Sequence, residues 1–208
     1  MYLRKPIRSV IPGVQGLVLG VLASTTTPLT GRGIAALLEG DAAQSGVSHV
    51  LGGLVESGLV NSEPAGRANL YTLNRHHVAA PAIEALGDLR GELLRRIREE
   101  LSGWALVPVA AWLFGSTSRG EGNSRSDIDV LLVRSRDVDD DEWVAQIMRL
   151  AEKVTSWSGN PCEILDYSTD ELDELVASAD PLVDSLRSDA VELHGASPRD
   201  LLRPETVR

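Results

Sequence analysis

The sequence predicts a mixed α/β (α+β) chain of two modules, the second with a small mixed sheet, and three observations carry that expectation. Charge is shared unevenly: residues 1–80 hold six basic and four acidic side chains, residues 111–208 ten and twenty-one, so nearly all of the net −10 lies in the second half. Apolar spacing reads as three helices and a hairpin over residues 13–75, and as strands interleaved with helices after residue 104. Between them, Ile83, Leu86, Leu89, Leu93, Leu94, Ile97 and Leu101 recur at three- and four-residue spacing, the mark of one amphipathic helix over 81–102. The expected division is therefore 1–80, a connecting helix 81–103, and 104–208.

Composition narrows the function classes. At 208 residues and 43% hydrophobic the chain is long enough for a substantial core. A net charge of −10 excludes a protein that simply coats phosphodiester backbones. One cysteine, Cys162, excludes an internal disulfide framework and a Cys-based zinc cage. The longest apolar stretch, Ala105 to Phe114, is about half of what a bilayer span requires. Arg4, Lys5 and Arg8 before the apolar run Val10–Ala23 superficially match a secretory leader, but Pro12, Gln15 and three glycines interrupt it. The expected location is cytoplasmic, without a membrane partner.

In the first module, Val14–Ala23 reads as an apolar helix. Thr30 is placed to cap a second helix at Gly31–Leu38. A turn at Gly40-Asp41 leads to a third helix, about 43–56, with Val47, Val50, Leu51, Leu54 and Val55 on its core face and Gly58 just beyond its end. Strand residues 59–62, a turn at Pro64-Ala65-Gly66 and a strand Asn69–Leu73 complete a hairpin. The stretch "LTGRGIAALLEGDAAQSGVSHVLGGLVESGLV" followed by "NSEPAGRANLYTLN" resembles the winged helix-turn-helix family of bacterial regulators. The resemblance implies that Gln44, Ser45, Ser48 and His49 face a DNA major groove, that Arg67 sits at the wing tip, and that such modules are commonly dimeric, here a homodimer. Against it, residues 41–58 contain no Lys or Arg, a poor endowment for phosphate contacts. His76-His77, adjacent on an extended segment, point to opposite faces and make a weak metal pair.

The second module carries the chemistry. Val107 and Val109 through Phe114 read as a buried strand ending at Gly115-Ser116, followed by a loop with Gly120 and Gly122. Asp127–Val133 reads as a second strand in which Asp127 and Asp129, at i and i+2, project from one face. Two like charges so placed are expensive unless a cation joins them. Oxygen-only ligands suit Mg²⁺, with Mn²⁺ the alternative, completed by substrate phosphates. Gly115 admits close approach of a phosphate, and Ser116 adds a hydroxyl and an N–H. A helix over about 140–156, a turn at 158–161 and a strand Cys162–Tyr167 follow, then two helices over 170–193. Glu163 and Asp166 on that strand have opposite parity, so both can face one side only if a bulge intervenes.

Gly115-Ser116, ten residues, then Asp127-Ile128-Asp129 closely resembles the signature of the polymerase-beta-like nucleotidyltransferase superfamily. "FGSTSRGEGNSRSDIDVLLV" looks like its minimal branch, with Arg119-Gly120 and Ser126 in place. The resemblance implies that Gly115, Ser116, Arg119 and Ser126 bind a nucleoside triphosphate. It further implies that Asp127, Asp129 and Glu163 hold Mg²⁺, and that a nucleoside monophosphate passes to a hydroxyl of protein, RNA or a small molecule with release of pyrophosphate. Arg119 either touches phosphates or braces the loop through Glu121. The resemblance also implies a third carboxylate on a later strand, for which Glu163, between apolar neighbours where such sequences usually carry Asp, is favoured over its competitor Asp166; Glu there departs from the usual Asp. Members of this branch often occur in toxin–antitoxin settings. The alternative function is a DNA-binding regulator whose second domain senses nucleotide or is inactive.

Overall fold

The computed structural model describes residues 1–123, 125–138 and 141–203, and the chain divides into two compact units. One comprises Tyr2 and Arg4–Leu89; the other comprises Met1, Leu3 and the chain from Arg90 onward.

The first unit opens with a 3₁₀ turn, Pro6–Ser9, followed by α1 (Gly13–Ala23), β1 (Leu29–Thr30), α2 (Gly31–Leu37), α3 (Gln44–Glu56), β2 (Val60–Ala65), β3 (Ala68–Leu73) and α4 (Ala80–Gly87). Its sheet runs β1-β3-β2, antiparallel throughout, with Leu29 opposite Tyr71 and Val60 opposite Leu73. α1 buries Leu17, Val18, Leu19 and Leu22 and forms the centre of the unit. Ile34 from α2, with Val47, Leu51 and Leu54 from α3, joins the same core. Each such side chain contributes on the order of 1.5–3 kcal/mol. Thr30 caps α2 as its position predicts, its hydroxyl accepting from the Gly33 N–H at 3.0 Å.

The single helix expected over 81–102 is two helices, α4 and α5 (Leu89–Ser102). Asp88 leaves helical geometry (φ −106°, ψ 24°), and its N–H turns back onto the carbonyls of Glu84 and Ala85. Gly87, a poor helix former, sits at the break. α5 keeps the expected stripe, burying Leu93, Leu94, Ile97 and Leu101.

The second unit continues with β4 (Ala110–Phe114), α6 (Gly115–Ser118), β5 (Ile128–Arg134), α7 (Asp141–Ser158), β6 (Cys162–Ser168), α8 (Thr169–Ala177), α9 (Pro181–Asp189), β7 (Val191–Gly195) and α10 (Pro198–Leu201). The mixed sheet has the order β6-β5-β4-β7; only β5 and β6 are parallel, the arrangement that a helical crossover such as α7 permits. Ala111, Leu113, Ile128, Val130 and Leu132 share a core with α5 and α7 on one face. Ala110, Trp112, Leu131 and Val133 share another with Leu172, Val183 and Leu186 of α8 and α9.

Three expectations are corrected here. β4 begins at Ala110 rather than Val107; upstream of it buried Gln146 holds the chain, its Oε1 accepting from the N–H groups of Ala105 (2.9 Å) and Leu106 (3.2 Å) and its Nε2 donating to the Leu106 carbonyl. The second strand begins at Ile128, so Asp127 stands one residue before it. The second of the two helices expected over 170–193, α9, stops at Asp189, where Ala190 turns extended (ψ 135°), and 191–195 form β7 instead of continuing it. Among the described residues no helix is long and apolar enough to cross a membrane.

Candidate active site

Phe114 ends β4 in extended geometry, and Gly115 then takes φ +72°, the left-handed region that favours glycine. The residue is constrained twice over, because a Cβ at this position would overlap the Asp129 carboxylate. Asp129 lies opposite Phe114 across the antiparallel β4–β5 pair, which brings its side chain against the Gly115 backbone.

On its other side Asp129 is in register with Glu163 in the parallel β5–β6 pair. Neighbouring strands lie about 4.8 Å apart, so two in-register side chains share one face. Burial pushes the Asp129 carboxyl above its ordinary value, and the negative charges of Glu163 and then Asp127 push it further. The charges of Glu163 and Asp127 thus both bear on Asp129. Asp166 is elsewhere: it pairs in register with Leu132, of opposite parity to Asp129, and meets Arg134 (Nε–Oδ2 3.3 Å).

All three converging groups are hard oxygen donors, and a divalent cation would relieve both the burial of Asp129 and its like-charge neighbours. Among the described residues no group of three His, Cys, Asp or Glu side chains forms a ready-made metal cage. Asp129, in register with Glu163 and two residues from Asp127, carries the hard oxygen donors that Mg²⁺ or Mn²⁺ takes. Cys162, half-buried beside them, has its thiol pushed up to about 12, by burial first and then by Asp129 and Glu163.

The Gly-Ser turn is tied to its surroundings. Arg90 donates from Nη2 to the carbonyls of Thr117 (3.3 Å) and Ser118 (2.9 Å), and the Ser118 hydroxyl donates to the Gly115 carbonyl at 2.7 Å. The buried Thr117 hydroxyl donates to the Asp127 carbonyl at 2.9 Å. Ser116, beside Gly115 at the start of α6, is half-buried. Arg119 pairs with Glu121 (2.9 Å) and with Asp189 on α9 (3.3 Å). The Ser126 hydroxyl accepts from the Asn123 N–H at 2.9 Å and so shapes the loop before Asp127.

The structure thus gathers Gly115, Asp127, Asp129 and Glu163, with Ser116 next in sequence to Gly115. It gives Arg119 and Ser126 bracing bonds. Gln44, Ser45, Ser48 and His49 are all exposed on α3, and Arg67 is exposed in the β2–β3 turn, within the first unit. Thr117, Asn160 and Arg90 escaped the sequence reading. They bond to backbone carbonyls, which leaves no periodicity or charge pairing to read; Thr117's place inside the Gly-Ser segment is the one available signal.

The nucleotidyltransferase domain family matches residues 92–191. Solved structures similar to the chain include a toxin–antitoxin pair, MntA–HpeT, at 19% identity over 52% of this chain and 80% of that one (TM-score 0.37). Another is a toxin–antitoxin with AMP-PNP, at 22% identity over 55% and 79% (TM-score 0.33). A third is a tri-AMPylated HEPN toxin from Shewanella oneidensis in complex with the MNT antitoxin, at 20% identity over 54% and 78% (TM-score 0.35). No curated protein matches the sequence.

Proposed function

We propose that the nucleotidyltransferase domain this chain carries over residues 92–191 transfers a nucleoside monophosphate from a nucleoside triphosphate to a hydroxyl acceptor. The observation that supports this reading best is the packing of Asp129 between the Gly115 backbone and Glu163. Asp127 and Asp129 would hold a divalent cation, Mg²⁺ or Mn²⁺, with Glu163 completing the set. Such an ion supplies charge neutralisation at the phosphates. Gly115 and Ser116 would bind phosphate oxygens, because residue 115 has no side chain to hold them off. Arg119 and Ser126 would bind nucleotide after giving up or sharing their present partners.

In the step itself the acceptor oxygen forms a bond to the α-phosphorus as the bond from that phosphorus to the bridging oxygen breaks. Pyrophosphate leaves with the electron pair of the broken bond. The acceptor's hydroxyl proton passes to the Glu163 carboxylate and on to solvent, general-base assistance of a kind worth about 10²–10⁴ in rate. The acceptor is a protein, an RNA or a small molecule. Incubation of the chain with each labelled nucleoside triphosphate, Mg²⁺ and cell lysate tests this, beside the Asp127→Ala/Asp129→Ala variant. Label transferred by the parent chain and not by the variant is expected; no transfer and no aspartate-dependent nucleotide binding overturns the reading.

A second reading rests on the first unit, whose order of helix, short strand, two helices and hairpin leaves the polar side of α3 exposed. In it the unit is a winged helix that places Gln44, Ser45, Ser48, His49 and Arg67 on DNA as a regulator, and the chain pairs as a homodimer. The absence of Lys and Arg from 41–58 weighs against it. Absence of binding to genomic fragments, even at low salt, retires it.

A further inference from the structure

Asp127 precedes β5 and so lacks the ladder that fixes Asp129. Its backbone is nevertheless held on both sides. The Thr117 hydroxyl, 1% exposed, donates to the Asp127 carbonyl at 2.9 Å. The Asn160 carboxamide, fully buried, donates from Nδ2 to the Ser126 carbonyl at 2.9 Å and to the Asn123 carbonyl at 3.2 Å. Two consecutive carbonyls, those of Ser126 and Asp127, are thus gripped by buried side chains from different elements. Asn123, Arg125 and Ser126 are also bonded to one another: Asn123 N–H donates to Ser126 Oγ, Arg125 N–H to Asn123 Oδ1 and Ser126 N–H to the Asn123 carbonyl.

Asn160 reaches in the other direction as well. It stands three residues before Glu163, next to Pro161, whose carbonyl accepts from the Ile128 N–H at 2.8 Å and opens the β5–β6 pairing. A shift of Asn123 and Ser126 relative to β6 would therefore strain the Asn160 bonds. The Asp127 carboxylate hangs from the loop end of this brace and the Glu163 carboxylate from the strand end.

We infer that Thr117 and Asn160 are positioning residues that set the Asp127 carboxylate against Asp129 and Glu163 for ion and triphosphate binding. The inference rests on the nucleotidyl-transfer reading above. An isolated carboxylate on an unladdered residue would sample several backbone geometries. A gripped one does not, and coordination depends on ligand placement to a fraction of an ångström.

The test uses the full chain and Mn²⁺ with a non-hydrolysable nucleoside triphosphate analogue, binding being read by electron paramagnetic resonance well below each variant's Tm. Thr117→Val is nearly isosteric and Asn160→Ala removes the second grip, while Asp166→Asn serves as a control remote in parity. The expected result is Mn²⁺ affinity about tenfold or more weaker in both positioning variants and unchanged in the control, as for other groups that orient metal ligands. A folded Thr117→Val protein that binds Mn²⁺ like the parent overturns the inference, even if Asn160→Ala does not fold. A lowered Tm with parental Mn²⁺ affinity in the folded variants also overturns it, since the bonds then serve stability alone. If the parent chain binds no Mn²⁺–nucleotide, or binds it independently of Asp127, the functional reading itself fails and takes the inference with it.

Discussion

The carboxylate of Asp129 lies where a Cβ on Gly115 would stand. β4 and β5 bring them together, Phe114 facing Asp129 in the antiparallel register, and the missing Cβ at 115 is what allows the carboxylate to lie there. The spacing of Gly-Ser and Asp-x-Asp in the sequence is thus the linear trace of a contact.

Gly115→Ala tests that contact. Alanine at φ +72° carries backbone strain and its methyl displaces the Asp129 carboxylate. The expected cost is about 1–3 kcal/mol from the strain, together with loss of nucleotide binding. The double variant Gly115→Ala/Asp129→Ala should recover part of that stability, because the overlap is gone while the φ strain remains. Denaturant melts of the two single variants and the double variant measure the coupling, and strictly additive effects would show that the two residues do not compete for space.

The in-register pairing of Asp129 with Glu163, against that of Leu132 with Asp166, separates the two candidates for the third carboxylate. Glu163→Gln should lower nucleotidyl transfer about 10²-fold or more, the usual effect of removing a general base. Asp166→Asn loses only a surface ion pair with Arg134, worth about 0–1 kcal/mol, and should leave transfer near the parental rate. Equal losses in both variants would refute the parity argument.

Much of this site was legible because its parts are local in sequence. Gly115, Asp127 and Asp129 lie within fifteen consecutive positions, and strand parity set Glu163 and Asp166 on opposite faces, with the apolar neighbours of Glu163 favouring it. What the sequence hid was set by distant partners. β7 reads as a helix tail until β4 is present to pair with it, and the capture of the Ala105 and Leu106 backbone by Gln146, some 40 residues on, leaves no pattern to read. Asn160 looks like an ordinary turn residue, since its partners at 123 and 126 are carbonyls. The break at Asp88 lay in the open, flagged by Gly87, yet the continuous apolar stripe masked it.

Gln146 gives a stability prediction. Its carboxamide satisfies two N–H groups and one carbonyl at 105–106 and is 2% exposed. Gln146→Met keeps the volume and leaves those backbone groups without partners. The cost expected is about 1–3 kcal/mol per group that stays dry. A urea titration should show a lower midpoint with an unchanged slope; an unaltered midpoint would mean that water replaces the side chain freely.

Cys162 should be slow to react. With its thiol pushed up to about 12, almost none is thiolate at pH 8, and the thiolate is the nucleophile. Iodoacetamide should alkylate the native chain far more slowly than the urea-unfolded chain at that pH. The comparison of the two rates by mass spectrometry decides it, and equal rates would contradict the burial that raises the thiol.

The last prediction concerns acid. Glu171 closes a capping box on α8: its Oε2 accepts from the Ser168 N–H at 2.7 Å while the Ser168 hydroxyl accepts from the Glu171 N–H at 3.2 Å. The backbone bond from Ser168 chiefly lowers the Glu171 carboxyl below its ordinary value, with the Ser168 hydroxyl and Arg134 adding to it. A depressed folded value means that the unfolded chain binds the proton first as pH falls. The contribution is therefore whole above the ordinary glutamate range, near 4.5, and is lost as pH drops through the lower folded value. Glu171→Gln keeps a carbonyl oxygen for the Ser168 N–H but has no proton to gain. The parent's Tm should exceed the variant's at pH 6, and the gap should close as the pH falls toward 3. A gap that stays constant across that range would show that the carboxylate's charge contributes nothing to the cap.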